Sequence, residues 1–208
     1  MTSRAELFNR WAESYDRSLL DAEGFPFGGY QQVLHRLFTL AEPRPGLRVL
    51  DLGTGTGALA TLFASAGCGV TGIDFAEEML IRARRQIPEA TFTRVDLLGE
   101  WPAEMRQRSF DVVVSSYVLH EFPDDKKVDL LVRLVRETLT VNGRIFIGDI
   151  LFLNAAARAE AQLSWRESWD DDEHYAAANE LVATLNEQGL SARFEQVSFC
   201  AGVLAVGE

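Results

Sequence analysis

Cysteine and histidine are scarce in this chain, and basic residues are outnumbered. Only two of its 208 residues are cysteine, Cys68 and Cys200, too few for a disulfide framework. The three histidines, His35, His120 and His174, are scattered without ligand spacing, so zinc is disfavoured and no metal is expected. Twenty Lys plus Arg stand against 31 Asp plus Glu, a formal net charge of −11. A nucleic-acid backbone would be repelled by that balance, and no nucleic-acid partner is expected. Arg82, Arg84 and Arg85, the densest basic cluster, interleave with Ala83 as a solvated helix face. The acidic run Asp170 to Glu173 reads the same way. No apolar run approaches the roughly 20 residues of a membrane span, and the polar, charged N-terminus does not read as a signal peptide. A cytoplasmic location without membrane partners is expected. Repeats and low-complexity tracts are also missing.

Hydrophobic content is 47%, enough for one sizeable core. Strand-like runs at 48 to 52, 69 to 73, 91 to 95, 110 to 116 and 144 to 150 alternate with helical patterns at 57 to 66, 76 to 87 and 125 to 139. Such alternation predicts a parallel, doubly wound sheet. Asn142-Gly143 marks the turn into the fifth strand. Residues 154 to 169 and 172 to 187 then read as helices, with Gly189 ending the second, and 192 to 199 and 202 to 206 as a closing hairpin. The expected fold class is α/β: a Rossmann-like, doubly wound, mostly parallel seven-stranded sheet with a C-terminal antiparallel hairpin and an N-terminal helical lid. One domain is expected, divided into the lid (1–45), a cofactor-binding core (46–150), and helices with the terminal hairpin (151–208).

The stretch VLDLGTGTG, Val49 to Gly57, is an apolar strand running into three alternate glycines. Gly53, Thr54, Gly55 and Gly57 form a turn where backbone can approach a ligand, with unpaired N–H groups of the following helix aimed across it. Dinucleotide sites favour G-x-G-x-x-G; here the spacing is G-x-G-x-G, and Asp51 stands where it could serve an ammonium group. The pattern resembles the first motif of class I S-adenosylmethionine-dependent methyltransferases, in which this turn wraps the methionine part of the cofactor. Asp74, directly after the second strand, suits the two ribose hydroxyls of a nucleoside, with Phe75 and Met79 as apolar surface beside it. The resemblance further gives Asp96 the adenine amino group and Leu97 a backbone contact to the ring. An NAD-dependent oxidoreductase and a non-catalytic S-adenosylmethionine-binding module are the alternatives.

The fourth strand ends in Ser115, Ser116 and Tyr117, at the switch point where open α/β sheets collect ligands. Ser115 is expected at the cofactor; Ser116, Tyr117, His120 and His174 are expected at a small-molecule methyl acceptor. SSYVLHEF resembles small bacterial methyltransferases reading SSY-x-x-HH, with Glu121 in place of the second histidine. FNRWAESYD resembles an N-terminal motif whose tyrosine, here Tyr15, closes over the cofactor. Tyr30 joins it, because a hydroxyl on an apolar face needs a polar partner such as the cofactor carboxylate. His120, titrating near neutral pH, is the expected general base. The resemblance implies methyl transfer from S-adenosylmethionine to a small soluble molecule, leaving S-adenosylhomocysteine.

Overall fold

The computed structural model describes residues 24–207. The chain runs α1 (Tyr30–Ala41), β1 (Arg48–Leu52), α2 (Ala58–Ser65), β2 (Gly69–Asp74), α3 (Glu77–Gln86), β3 (Thr91–Arg94), β4 (Phe110–Ser116), α4 (Asp124–Arg133), β5 (Leu139–Phe152), α5 (Ala155–Ser164), β6 (Ala176–Ala177), α6 (Ala178–Glu187), β7 (Ser191–Gln196) and β8 (Ala201–Gly207). Strand order is β3-β2-β1-β4-β5-β8-β7, with β6 paired to the end of β5. The first five strands are parallel; β8 runs antiparallel to both β5 and β7. The predicted sheet and closing hairpin are therefore present. Among the described residues no helix is long and apolar enough to cross a membrane.

Alternation along each strand feeds two cores. Val49, Val112, Val114, Phe146 and Val203 face one side, with Leu59, Phe63 and Leu80 from α2 and α3. Leu50, Leu52, Val113, Ile145, Ile147 and Leu204 face the other, with Leu130 and Leu131 from α4 and Leu181 and Leu185 from α6. A strand covered on both faces must be apolar at nearly every position, which is why β1 and β4 read as continuous hydrophobic runs.

α1 belongs to the first of these layers. Tyr30, Val33, Leu34, Leu37 and Ala41 are its buried residues, at helical spacing along one stripe. That stripe lies directly on β5: a Cβ on Gly148 would stand 2.3 Å from Val33 Cγ1 and 2.8 Å from Leu37 Cδ1. The described part of the expected lid is thus a seated core helix, because burying Val33 and Leu37 completely is worth roughly 1.5 to 3 kcal/mol each. Residues 1–23, including Tyr15 and the rest of that expected lid, lie outside the described residues.

Boundaries depart from the sequence pattern where side chains are drawn inward. α4 stops at Arg133 and widens into a π turn over Leu134–Thr138, which buries Leu134, Val135 and Thr138. Asn142-Gly143 falls inside β5, where the register against β4 shifts between Phe110 and Val112. The helices expected at 154–169 and 172–187 stop at Ser164 and start at Ala178. Between them the chain turns so that Trp169 packs against Phe25 (5.3 Å), Phe152 (5.9 Å) and Tyr175 (4.5 Å between ring centroids). Burial of rings this large outweighs the few helical hydrogen bonds forgone.

Candidate active site

A cavity of about 310 Å³ opens at the carboxyl ends of β1, β2, β3 and β4. That volume is at the lower end of small-molecule sites. It lies at the switch point, where β1 is flanked by β2 on one side and β4 on the other. Its floor is the glycine turn: Gly53, Thr54, Gly55 and Thr56, with Ala58 and Leu59 from the first turn of α2. Gly55 has φ +55°, and a Cβ built there meets nothing within 4 Å, because it projects into the open cavity. The turn is drawn to the next strand by the Gly55 N–H, which donates to Asp74 Oδ2 at 2.9 Å.

Asp74 is buried, and its other oxygen accepts the Ala76 N–H at 2.8 Å. That bond supplies the start of α3 with the cap that Ala76 cannot provide. Burial pushes the Asp74 pKa up, against the hydrogen bonds from Ala76 and Gly55. Each oxygen keeps an acceptor site for a hydroxyl donor. Phe75, Met79 and Leu97 add apolar wall, and Asp96 lines the far end while its Oδ1 also accepts the Leu98 N–H at 3.0 Å. At the opposite end stand Tyr30, Ser116, Tyr117, Val118, Glu121 and Phe122.

Several expected residues stand behind this wall. Asp51 does not reach the cavity; it accepts the Thr54 hydroxyl at 2.7 Å and braces the turn from below. Gly57 caps α2 at φ 94°. Ser115 is fully buried and donates to the Leu52 carbonyl at 2.9 Å, tying β4 to β1. His174 is exposed and lines a separate groove with Trp169, Glu173 and Tyr175. The fold uses the Asp51 carboxylate and the Ser115 hydroxyl internally, to brace the turn and to tie β4 to β1. Thr56, Ala58, Leu59, Val118, Glu121 and Phe122 line the cavity without having been expected there; their plain residue types carried no signal.

Burial raises the Asp51 pKa to about 7, helped by the Asp74 charge and opposed by hydrogen bonds from Thr54 and Ala60. A carboxyl raised in the folded state favours folding fully below its unfolded value of 3.8, and that contribution disappears as pH climbs through about 7. Asp51→Asn keeps an acceptor oxygen without the charge. Its melting temperature relative to the parent is therefore expected to be higher at pH about 8 than at about 4. A pH-independent difference between the two proteins would show that Asp51 is already ionised at no cost.

His120 is 6% exposed and does not line the cavity; Glu121 beside it does. Its Nδ1 lies 2.6 Å from Asp149 Oδ1. Asp149 also accepts N–H groups of Leu119 (2.6 Å), His120 (3.2 Å) and Ile150 (2.7 Å). Burial pulls the His120 pKa down, but the charges of Asp149, Glu173 and Glu121 outweigh it and leave the pKa above the ordinary histidine value. Burial likewise opposes ionisation of Asp149, yet the His120 charge and hydrogen bond hold its pKa below the usual carboxylate value. The expected general base thus stands behind the cavity wall, with Asp149 against its Nδ1 and its Nε2 within 4 Å of Glu121 and Glu173. Asp149 closes the apolar run RIFIG and was not among the expected site residues.

The turn that delivers Glu173 is pinned from two sides. His174 N–H donates to the His120 carbonyl at 2.7 Å, and the buried Lys127 Nζ lies 2.5 Å from both the His174 carbonyl and Asp124 Oδ1. Asp170, Asp171 and Asp172 face solvent, as expected of the acidic run, whereas Glu173 turns inward.

A methyltransferase-domain family model matches residues 49–143. An uncharacterized methyltransferase of Bacillus velezensis is 30% identical over 201 residues, covering 91% of each chain. One from Geobacillus kaustophilus is 30% identical over 205 residues, 92% of this chain and 90% of the relative. Among solved structures, the DhpI–SAH complex superposes with a TM-score of 0.71 at 18% identity, over 98% of this chain and 94% of that one. Magnesium protoporphyrin IX methyltransferase (ChlM) of Synechocystis PCC 6803 with bound SAH gives 0.73 at 19% identity, over 97% and 96%. The chain belongs to the class I S-adenosylmethionine-dependent methyltransferases. It is an enzyme of that kind, and S-adenosylmethionine is its cofactor.

Proposed function

We propose that the cavity holds S-adenosylmethionine and that a small cytoplasmic molecule receives the methyl group at the end formed by Ser116, Tyr117, Val118, Glu121 and Phe122. The observation that carries this reading is the charge of the wall. Asp74, Asp96 and Glu121 line the cavity, and among its described lining residues none is basic. Carboxylates accept from ribose hydroxyls and an adenine amino group, and they suit a cofactor bearing a sulfonium and an ammonium. A pyrophosphate would meet uncompensated like charge, which disfavours NAD. The cofactor supplies a methyl group already activated on sulfur, so no nucleophilic side chain is required.

The chain's own part is placement. Asp74 would take the ribose hydroxyls, Phe75, Met79 and Leu97 would flank the base, and Asp96 would accept its amino group. Tyr30 and Tyr117 would close the acceptor end, where their rings lie 5.1 Å apart and exclude water. The enclosed volume and the acidic chain support a small acceptor over a nucleic acid.

Calorimetric titration is expected to give binding of S-adenosylmethionine and S-adenosylhomocysteine, with no heat from NAD or NADP. Asp74→Ala should weaken that binding about tenfold or more, since hydrogen bonds to a charged group contribute roughly 1.5 to 3 kcal/mol. Binding of NAD, or an unaltered affinity in Asp74→Ala, would sink this account of the cavity. Labelled methyl transfer into a metabolite extract, followed by separation of small molecules from polymer, tests the acceptor class.

A further inference from the structure

The sequence scatters its histidines, but the fold brings one of them to two carboxylates. His120 Nε2 lies 3.8 Å from Glu121 Oε1 and 3.7 Å from Glu173 Oε1. One ligand atom from each of the three lies within 4.8 Å of the others. These side chains are 7%, 14% and 19% exposed, so two carboxylates are held together largely out of water. At 3.7 to 3.8 Å neither carboxylate hydrogen-bonds Nε2. A divalent ion about 2.1 Å from each ligand atom holds those atoms roughly 3 to 4 Å apart, which matches the two distances from Nε2 to the carboxylates. Both anchoring ligands are also backed. Asp149 takes His120 Nδ1 at 2.6 Å, and the Tyr175 hydroxyl hydrogen-bonds Glu173. Carboxylate behind histidine is the usual outer support of a metal-bound imidazole, fixing which nitrogen faces the ion.

We propose that His120, Glu121 and Glu173 form a binding site for one divalent transition-metal ion, with Asp149 and Tyr175 as its outer support. One imidazole and two carboxylates favour Zn²⁺ or Mn²⁺ over Mg²⁺, which prefers an all-oxygen, largely hydrated shell. The site shares Glu121 with the cavity, but metal binding itself needs neither cofactor nor acceptor. The test is calorimetric titration of the chelator-treated full-length protein with Zn²⁺, Mn²⁺ and Mg²⁺ alone. One equivalent of Zn²⁺ or Mn²⁺ is expected to bind, with Mg²⁺ at least a hundredfold weaker. His120→Gln and Glu173→Gln should each weaken binding a hundredfold or more, and Asp149→Asn about ten- to a hundredfold. Asp170→Asn, on the solvated side of the same turn, should leave it unchanged. Absence of saturable binding overturns the proposal, as does binding that survives Glu173→Gln or falls equally in Asp170→Asn. Glu173→Gln decides the matter should His120→Gln fail to fold. S-adenosylhomocysteine affinity measured on the same sample separates a failure here from a failure of the cavity assignment.

Discussion

Gly55→Val is expected to reduce S-adenosylhomocysteine affinity a hundredfold or more while the domain stays folded. The backbone at Gly55 has φ +55°, and its added side chain would project into open cavity where no protein atom lies within 4 Å. The isopropyl group would then occupy space that the ligand needs. The left-handed conformation itself costs a β-branched residue roughly 1 to 3 kcal/mol, within the usual stability of about 5 to 15 kcal/mol. Gly46→Val isolates that strain. Gly46 has φ +82°, also meets nothing within 4 Å, and lies away from the cavity. Titration calorimetry beside thermal melting should show both variants destabilised and only Gly55→Val unable to bind. Equal affinity in the two would mean that the glycine turn does not cradle the cofactor.

His120→Gln is expected to lower the rate of methyl transfer about a hundredfold or more and to leave S-adenosylhomocysteine affinity unchanged. His120 does not itself line the cavity, so the cofactor should not register its loss. The acceptor end should, because Glu121 lines that end and His120 Nε2 stands between Glu121 and Glu173. Without the imidazole, two mostly buried carboxylates lose their common neighbour and move apart. A displacement of about 1 Å at a reacting centre can cost about a hundredfold. The same substitution removes one ligand of the proposed metal site, so rate and metal content should fall together. Turnover measured with labelled cofactor and metabolite extract, alongside the binding constant and melting temperature, distinguishes a positioning role from a packing one. Full turnover in a folded His120→Gln protein would assign the His120–Asp149 pair to structure alone.

The glycine turn and the acids that follow β2 and β3 were legible because they depend on local chemistry. An apolar run ending in G-x-G-x-G suits a buried strand meeting a close backbone approach, and Asp74 and Asp96 are fixed to strand ends by position in the chain. Strand periodicity also determined the two-sided sheet and its closing hairpin, since residues out of phase would expose Val and Ile to water. Asp51, Ser115 and His174 were read as site residues from proximity in sequence, yet Asp51 and Ser115 spend their side chains on internal hydrogen bonds and His174 lines a separate groove.

Tertiary structure alone decided what surrounds His120. Glu173 lies 53 positions further on, in a run indistinguishable by composition from its solvated neighbours Asp170 to Asp172. It turns inward because Trp169 and Tyr175 on either side are drawn beneath the end of the sheet with Phe25 and Phe152, and because Lys127 holds the intervening carbonyl. Local propensity favoured one more helical turn there, and long-range burial of aromatic surface overrode it. The sequence by itself determined the class of fold and the glycine turn that floors the cavity, whose residues are contiguous. The end of the cavity formed by Tyr30, Ser116, Tyr117, Val118, Glu121 and Phe122 joins the start of α1 to the loop after β4, and that proximity follows only from packing.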